Sequence, residues 1–191
     1  MKISFLNKPR LGFTLQEIII AIAISILIVL TVISIFSVNQ TTFRKTSLRS
    51  ELTQNGRVAL DIMSREIRQA REIVTVLPAD NSNPETVSHE LMLEDGHIST
   101  QIQYIRYYLS GNSLNRQTIV YYFDTDPDTY VYWNDINAFG SPDSEVIDDR
   151  VIGENFTQVD FYGEQVINID LTLSKQNETE QIKAIINPRN I

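Results

Sequence analysis

The chain of 191 residues has no cysteine, which excludes a disulfide framework, a thiol nucleophile and a thiolate-held metal. Proline and glycine are scarce, six and seven residues, and no proline stands between Pro9 and Pro78. Nothing of that kind therefore interrupts a helix across the interval. No charged residue occurs between Glu17 and Arg44. Histidine is limited to His89 and His97, and neither lies near a G-x-S-x-G serine. Walker loops, H-E-x-x-H and G-x-G-x-x-G are also missing, so no motif argues for an enzyme. Positive charge is thin after residue 72: residues 73–191 carry six basic and 19 acidic side chains, a net −13. A head this acidic repels polyanions and disfavours nucleic acid as a partner.

What the chain does have is a long apolar run. Ile18 to Val38 is 21 residues without charge, proline or glycine. As a helix it spans roughly 31 Å, about one bilayer core. Lys2, Lys8 and Arg10 precede it with no acid among them, which predicts a cytoplasmic N-terminus and an exported remainder. A cleaved secretory signal has a shorter apolar core ending in small residues, and Ser34-Ile35-Phe36-Ser37-Val38 offers no such site. One carboxylate, Glu17, stands at the mouth of the run. A carboxylate near hydrocarbon costs about 2–3 kcal/mol at mid-bilayer on insertion scales, which marks it as a functional residue in need of a partner. The plainer reading is a side chain that snorkels at the interface of an ordinary anchor.

Gly12-Phe13-Thr14-Leu15-Gln16-Glu17, after a basic leader and before about twenty apolar residues, resembles the type IV prepilin signal. The resemblance implies cleavage between Gly12 and Phe13 by a prepilin peptidase and N-methylation of Phe13. It also implies that Glu17 guides docking onto the N-terminus of a neighbouring subunit. A glycine before the cut suits the close approach of a peptidase to the backbone. Major pilins usually carry a proline in the apolar half of the helix, and this chain has none there.

From 39 to 77 the apolar residues Leu48, Leu52, Val58 or Ala59, Ile62 or Met63, Ile67, Ala70, Ile73 or Val74 and Leu77 recur largely at three- and four-residue spacings. This predicts an amphipathic continuation of the helix to Leu77, with Gly56 a possible kink. Gln54 to Ile73, QNGRVALDIMSREIRQAREI, resembles the second half of that helix in J-type minor pseudopilins of type II secretion and W-type minor pilins of type IV pili. Tyr107–Leu109, Leu114–Arg116 and Pro188-Arg189-Asn190 resemble the same group.

Residues 78–191 read as a β-rich head: segments near 86–94, 98–109, 114–123, 130–133, 145–152, 157–162, 165–173 and 181–187. The clearest alternation is Ile167, Ile169, Leu171 and Leu173 with polar residues between them. Ser110-Gly111-Asn112-Ser113 reads as a hairpin turn. A long helix followed by strands predicts an α+β fold, the helix packed on an antiparallel sheet head. The domains expected are a leader (1–12), a membrane or fibre-core helix (13–38), an amphipathic helix (39–77) and the head (78–191).

Asp124, Asp126 and Asp128 alternate in a way that can converge on calcium. The stretch departs from an EF-hand loop, with Thr129 at the sixth position and Asp135 at the twelfth, and a solvated acidic turn is the other reading. No other cofactor is expected. The tyrosine-rich middle, Tyr104 to Trp133, reads first as core packing and second as an interface.

The expected function is that of a non-enzymatic minor pilin or pseudopilin, held in the bacterial inner membrane with its head outside. By the resemblance, its partners are other minor and major subunits, the prepilin peptidase and the inner-membrane assembly platform, and its complex primes or caps a fibre. An adhesive or DNA-capturing tip pilin and a membrane-anchored enzyme remain as alternatives.

Overall fold

The computed structural model describes residues 12–83, 85–97 and 101–189. The leader expected over 1–12 therefore lies outside the described residues, apart from Gly12. The chain is α+β: among the described residues, one long helix, α1 (Leu15–Gln69), then eight strands. It divides into two compact units, Met1–Thr46 and Ser47–Ile191.

In the first unit the apolar residues from Ile18 to Phe43 are exposed, so this part of α1 has no core within the unit to lie against. The helix is long and apolar enough to cross a membrane. Its hydroxyls turn inward on their own backbone: Ser25 Oγ donates to the Ala21 carbonyl (2.7 Å), Thr31 Oγ1 to Leu27 (2.8 Å) and Thr41 Oγ1 to Ser37 (3.0 Å). Such i−4 bonds satisfy hydroxyls that hydrocarbon would leave unpaired.

In the second unit, the helix buries Leu52, Gly56, Ala59, Met63 and Ile67 along one stripe. They join one core with Leu91, Leu93, Ile105, Tyr107 and Leu114 from one sheet and Phe156, Val159, Ile169 and Leu171 from the other. Each large side chain so enclosed contributes about 1.5–3 kcal/mol. α1 runs without a break through Gly56. That glycine is a point of close approach: a Cβ there would stand 2.4 Å from Ile182 Cδ1 and 3.2 Å from Leu173 Cδ1.

The first sheet holds β1 (Glu90–Glu94), β2 (Tyr104–Ser110), β3 (Ser113–Phe123) and β4 (Asp126–Val131), with β5 (Asp143–Glu154) also paired to β3. The second holds β6 (Phe156–Tyr162), β7 (Ile167–Lys175) and β8 (Glu178–Ile186). All pairs are antiparallel. The β2–β3 hairpin closes with Ser110 opposite Ser113, and Gly111 takes φ 59°, a conformation that favours glycine.

The amphipathic helix ends at Gln69, eight residues short of the expected Leu77. Residues 70–77 instead run beside β1: Glu94 N–H donates to the Glu72 carbonyl (2.9 Å), Val74 N–H to the Met92 carbonyl (2.9 Å), and Ile73 bridges Leu93. Ile73-Val74-Thr75-Val76 is β-branched throughout, which favours an extended backbone once a strand edge is available. The helix spacing extrapolated to Leu77 fits either state over so short a run.

The seam between helix and first sheet contains charge. Arg116 Nε donates to both Glu66 carboxylate oxygens (3.0 Å each), and its Nη1 donates to Thr118 Oγ1 (2.9 Å). The Tyr107 hydroxyl donates to Glu66 Oε2. Arg116 and Tyr107 are buried, so each partner answers a desolvated group.

Replacing Arg116 by Ala strands Glu66 and is expected to destabilise the protein by about 3–5 kcal/mol in chemical denaturation. Burial pushes the Tyr104 phenol from 10.0 up to about 12. Burial first, and the Glu66 carboxylate second, push Tyr107 up as well. Both groups keep their protons longer when folded, so their stabilisation is whole below about pH 10 and falls above it, that of Tyr104 being lost as pH rises through about 12. Tyr107→Phe is expected to cost about 1 kcal/mol at neutral pH and to flatten that alkaline loss, read from denaturation midpoints against pH.

Candidate functional site

The site with most chemistry behind it is the start of α1. Thr14 is its N-cap, with its carbonyl accepting from Ile18 N–H (3.3 Å). The Glu17 N–H donates to Thr14 Oγ1 (3.3 Å). In return the Thr14 N–H and the Thr14 hydroxyl both donate to Glu17 Oε2 (2.8 Å each). This is a reciprocal capping box, in which the first and fourth residues of Thr-x-x-Glu satisfy each other's exposed donors. A carboxylate in the first turn also faces the positive end of the helix dipole.

The arrangement fixes the Glu17 carboxylate beside the residue pair named for cleavage. Gly12 and Phe13 lie outside the helix, and Phe13 is 85% exposed. A Cβ added at Gly12 would meet nothing within 4 Å. Packing among the described residues thus gives no reason for glycine at this position. Phe13, Glu17, Ile18 and Ile22 share the wall of one shallow surface depression. Sequence reasoning singled out Glu17 and passed over Thr14, although Thr-x-x-Glu before an apolar run was there to be read.

Among the described residues the three aspartates are not gathered into a group placed to hold a metal ion. Asp124 lies in the β3–β4 turn, while Asp126 and Asp128 belong to β4 and are exposed. Among the described residues no group of three or more histidine or acidic side chains is placed to hold a metal ion. Convergence needs a loop that bends round the ion, and here Asp126 pairs opposite Phe123 at the end of β3 while Asp128 falls where the β3–β4 register shifts.

The histidines are bound up locally: His89 Nδ1 lies 2.9 Å from Asp160 Oδ1, and His97 Nδ1 lies 3.2 Å from Asp95 Oδ1. Among the described residues neither is hydrogen-bonded to a serine or threonine hydroxyl. The tyrosines divide as well. Tyr104 and Tyr107 are core residues, Tyr104 meeting Tyr121 edge-on at 5.3 Å, whereas Tyr132 and Trp133 are partly exposed.

No family model, no curated protein and no solved structure matches this chain. The functional reading therefore rests on the residues themselves.

Loss of the Thr14 hydroxyl removes the cap. Thr14→Ala is expected to cost about 1 kcal/mol at the helix start, a roughly fivefold faster amide exchange at Gln16 to Ile18 in detergent micelles, with Thr14→Ser near wild type.

Proposed function

We propose that this protein is a minor pilin or pseudopilin: a non-enzymatic subunit that is trimmed at Gly12–Phe13, N-methylated on Phe13 and then assembled with related subunits through its apolar helix. The observation that carries this reading is one constellation. A glycine that no packing among the described residues requires precedes an exposed Phe13, and a capped, apolar helix with a single carboxylate in its first turn follows. An exposed apolar helix surface has to be covered by lipid or by other helices. Helices of this kind pack side by side once lipid is exchanged for neighbours.

In this reading the protein waits in the inner membrane with its head outside the cytoplasm. The Glu17 carboxylate receives the amino terminus of an adjacent subunit. Its partners are the prepilin peptidase, the assembly platform and other minor and major subunits, and the complex starts or caps a type IV pilus or a secretion pseudopilus. Adhesion by the head is the second reading. It is favoured by the β4–β5 loop, which leaves Ile136 and Phe139 79% and 85% exposed while its backbone is held by the Tyr104 hydroxyl and by the Asp135 and Asn137 side chains.

Intact mass of the purified protein tests the first step. Loss of residues 1 to 12 with the gain of one methyl group is the expected result, and a chain that keeps Met1 when co-expressed with an active prepilin peptidase overturns the reading. Glu17→Val is expected to leave cleavage intact and to abolish recovery with partner subunits after membrane solubilisation. Recovery at the normal level would remove the docking role from Glu17.

A further inference from the structure

We infer that the outer edge of β5 is a docking edge for an extended, cationic segment of another protein, which adds to the first sheet as a further strand. This surface belongs to the head and stands whether or not the chain is a pilin. β5 is twelve residues long, and its pairing among the described residues is with β3 alone. Nine consecutive residues, Asp143 to Val151, are exposed on both faces of the strand. The edge of β1, by contrast, is covered by residues 72–75.

A long open edge invites pairing with whatever strand arrives, including a second copy. The composition of β5 decides which arrivals succeed. It carries Asp143, Glu145, Asp148, Asp149 and Glu154 against one base, Arg150. Two such strands laid side by side would stack like charges, which disfavours self-pairing. A strand bearing lysine or arginine reverses the sign of that term. Asp143 and Glu145 have no side-chain hydrogen bond or ion pair among the described residues, so their charge is available at the edge. Asp148 and Asp149 are engaged within the sheet, by Arg116 and Arg150 and by Gln117 and Tyr108 respectively.

Apolar contacts lie beside these charges. Val146, Ile147 and Val151 are each about half exposed. Register shifts fall where Ile147 and Ile152 are skipped, between Asp148 and Val146 and between Val151 and Gly153. Such bulges bend and twist an edge. They divide β5 into short straight stretches, so the incoming segment is expected to pair over a few residues at a time. A cationic segment with valine or isoleucine at alternate positions matches both features: the base answers Asp143 and Glu145, and the aliphatic side chain covers Val146 and Val151.

The test uses the full chain in detergent and a soluble probe, an alternating Lys-Val peptide of about ten residues. Hydrogen exchange should slow at the amides of Asp143 to Glu154 and not at β8. Binding should weaken roughly tenfold when salt rises from about 0.05 M to about 0.5 M. Methylating alternate backbone nitrogens of the peptide keeps its charge and removes its ladder bonds, and should abolish the protection. The exposed pair D143K/E145K should bind the Lys-Val peptide roughly tenfold more weakly and accept an alternating Glu-Val peptide instead. Equal binding of the methylated peptide, or protection that appears on β8 and not β5, overturns the proposal. So does β5 protection that grows with protein concentration without peptide, which would make a second copy the occupant.

Discussion

A guanidinium held against a carboxylate in the seam between helix and sheet is the interaction on which the head depends. Arg116 comes from β3, Glu66 from α1 and Tyr107 from β2, so three elements meet at one charge pair. Apolar burial brings helix and sheets together but is tolerant of sliding, because one aliphatic contact resembles the next. A guanidinium Nε–H shared between both oxygens of one carboxylate is not tolerant: displaced by a residue, both charges would be buried without partners. The stripe Leu52, Ala59, Met63, Ile67 and the pair Glu66–Arg116 are therefore complementary, one supplying adhesion and the other register.

The same concern for unpaired polar groups governs the ends of the helix. At its start Thr14 and Glu17 satisfy each other's exposed donors. At its finish the Arg68 carbonyl accepts from Arg189 N–H at 3.4 Å, and Gly96 approaches the Gln69 carbonyl so closely that a Cβ would sit 1.8 Å from it. The chain's last described residues thus return to close the element that opened it. Glycine at position 96 is fixed by this approach, not by a turn.

Much of this organisation was legible in the sequence. The apolar run, the buried stripe and the eight strands follow from periodicities of 3.6 and 2, and the clearest of them, Ile167 to Leu173, is buried at every alternate position. What escaped was set by tertiary contact. Residues 70–77 satisfy a helical spacing and an extended one equally well, and the presence of β1 as a pairing partner decided between them. Asp124, Asp126 and Asp128 match a cation-binding spacing in one dimension, but among the described residues the fold does not gather them into a group that could hold a metal. Glu66, Tyr107 and Arg116 are 41 and 50 residues apart in sequence, and no local pattern announces that they touch. At the helix start the signal was present, since Thr14 and Glu17 are three residues apart.

The folded-back hydroxyls of Ser25, Thr31 and Thr41 have a consequence for how the apolar helix can be recognised. With Ser25 and Thr31 already spent on the backbone, the stretch from Ile18 to Ile33 offers a neighbour only contour: ridges of isoleucine and leucine and the gaps between them. Fit by contour is graded and forgiving, so many greasy cylinders would serve about equally well. Discrimination by chemistry is left to the two extremities of that surface, the acid at one end and, at the other, the hydroxyls and amides from Ser34 to Thr42 with the basic residues beginning at Arg44.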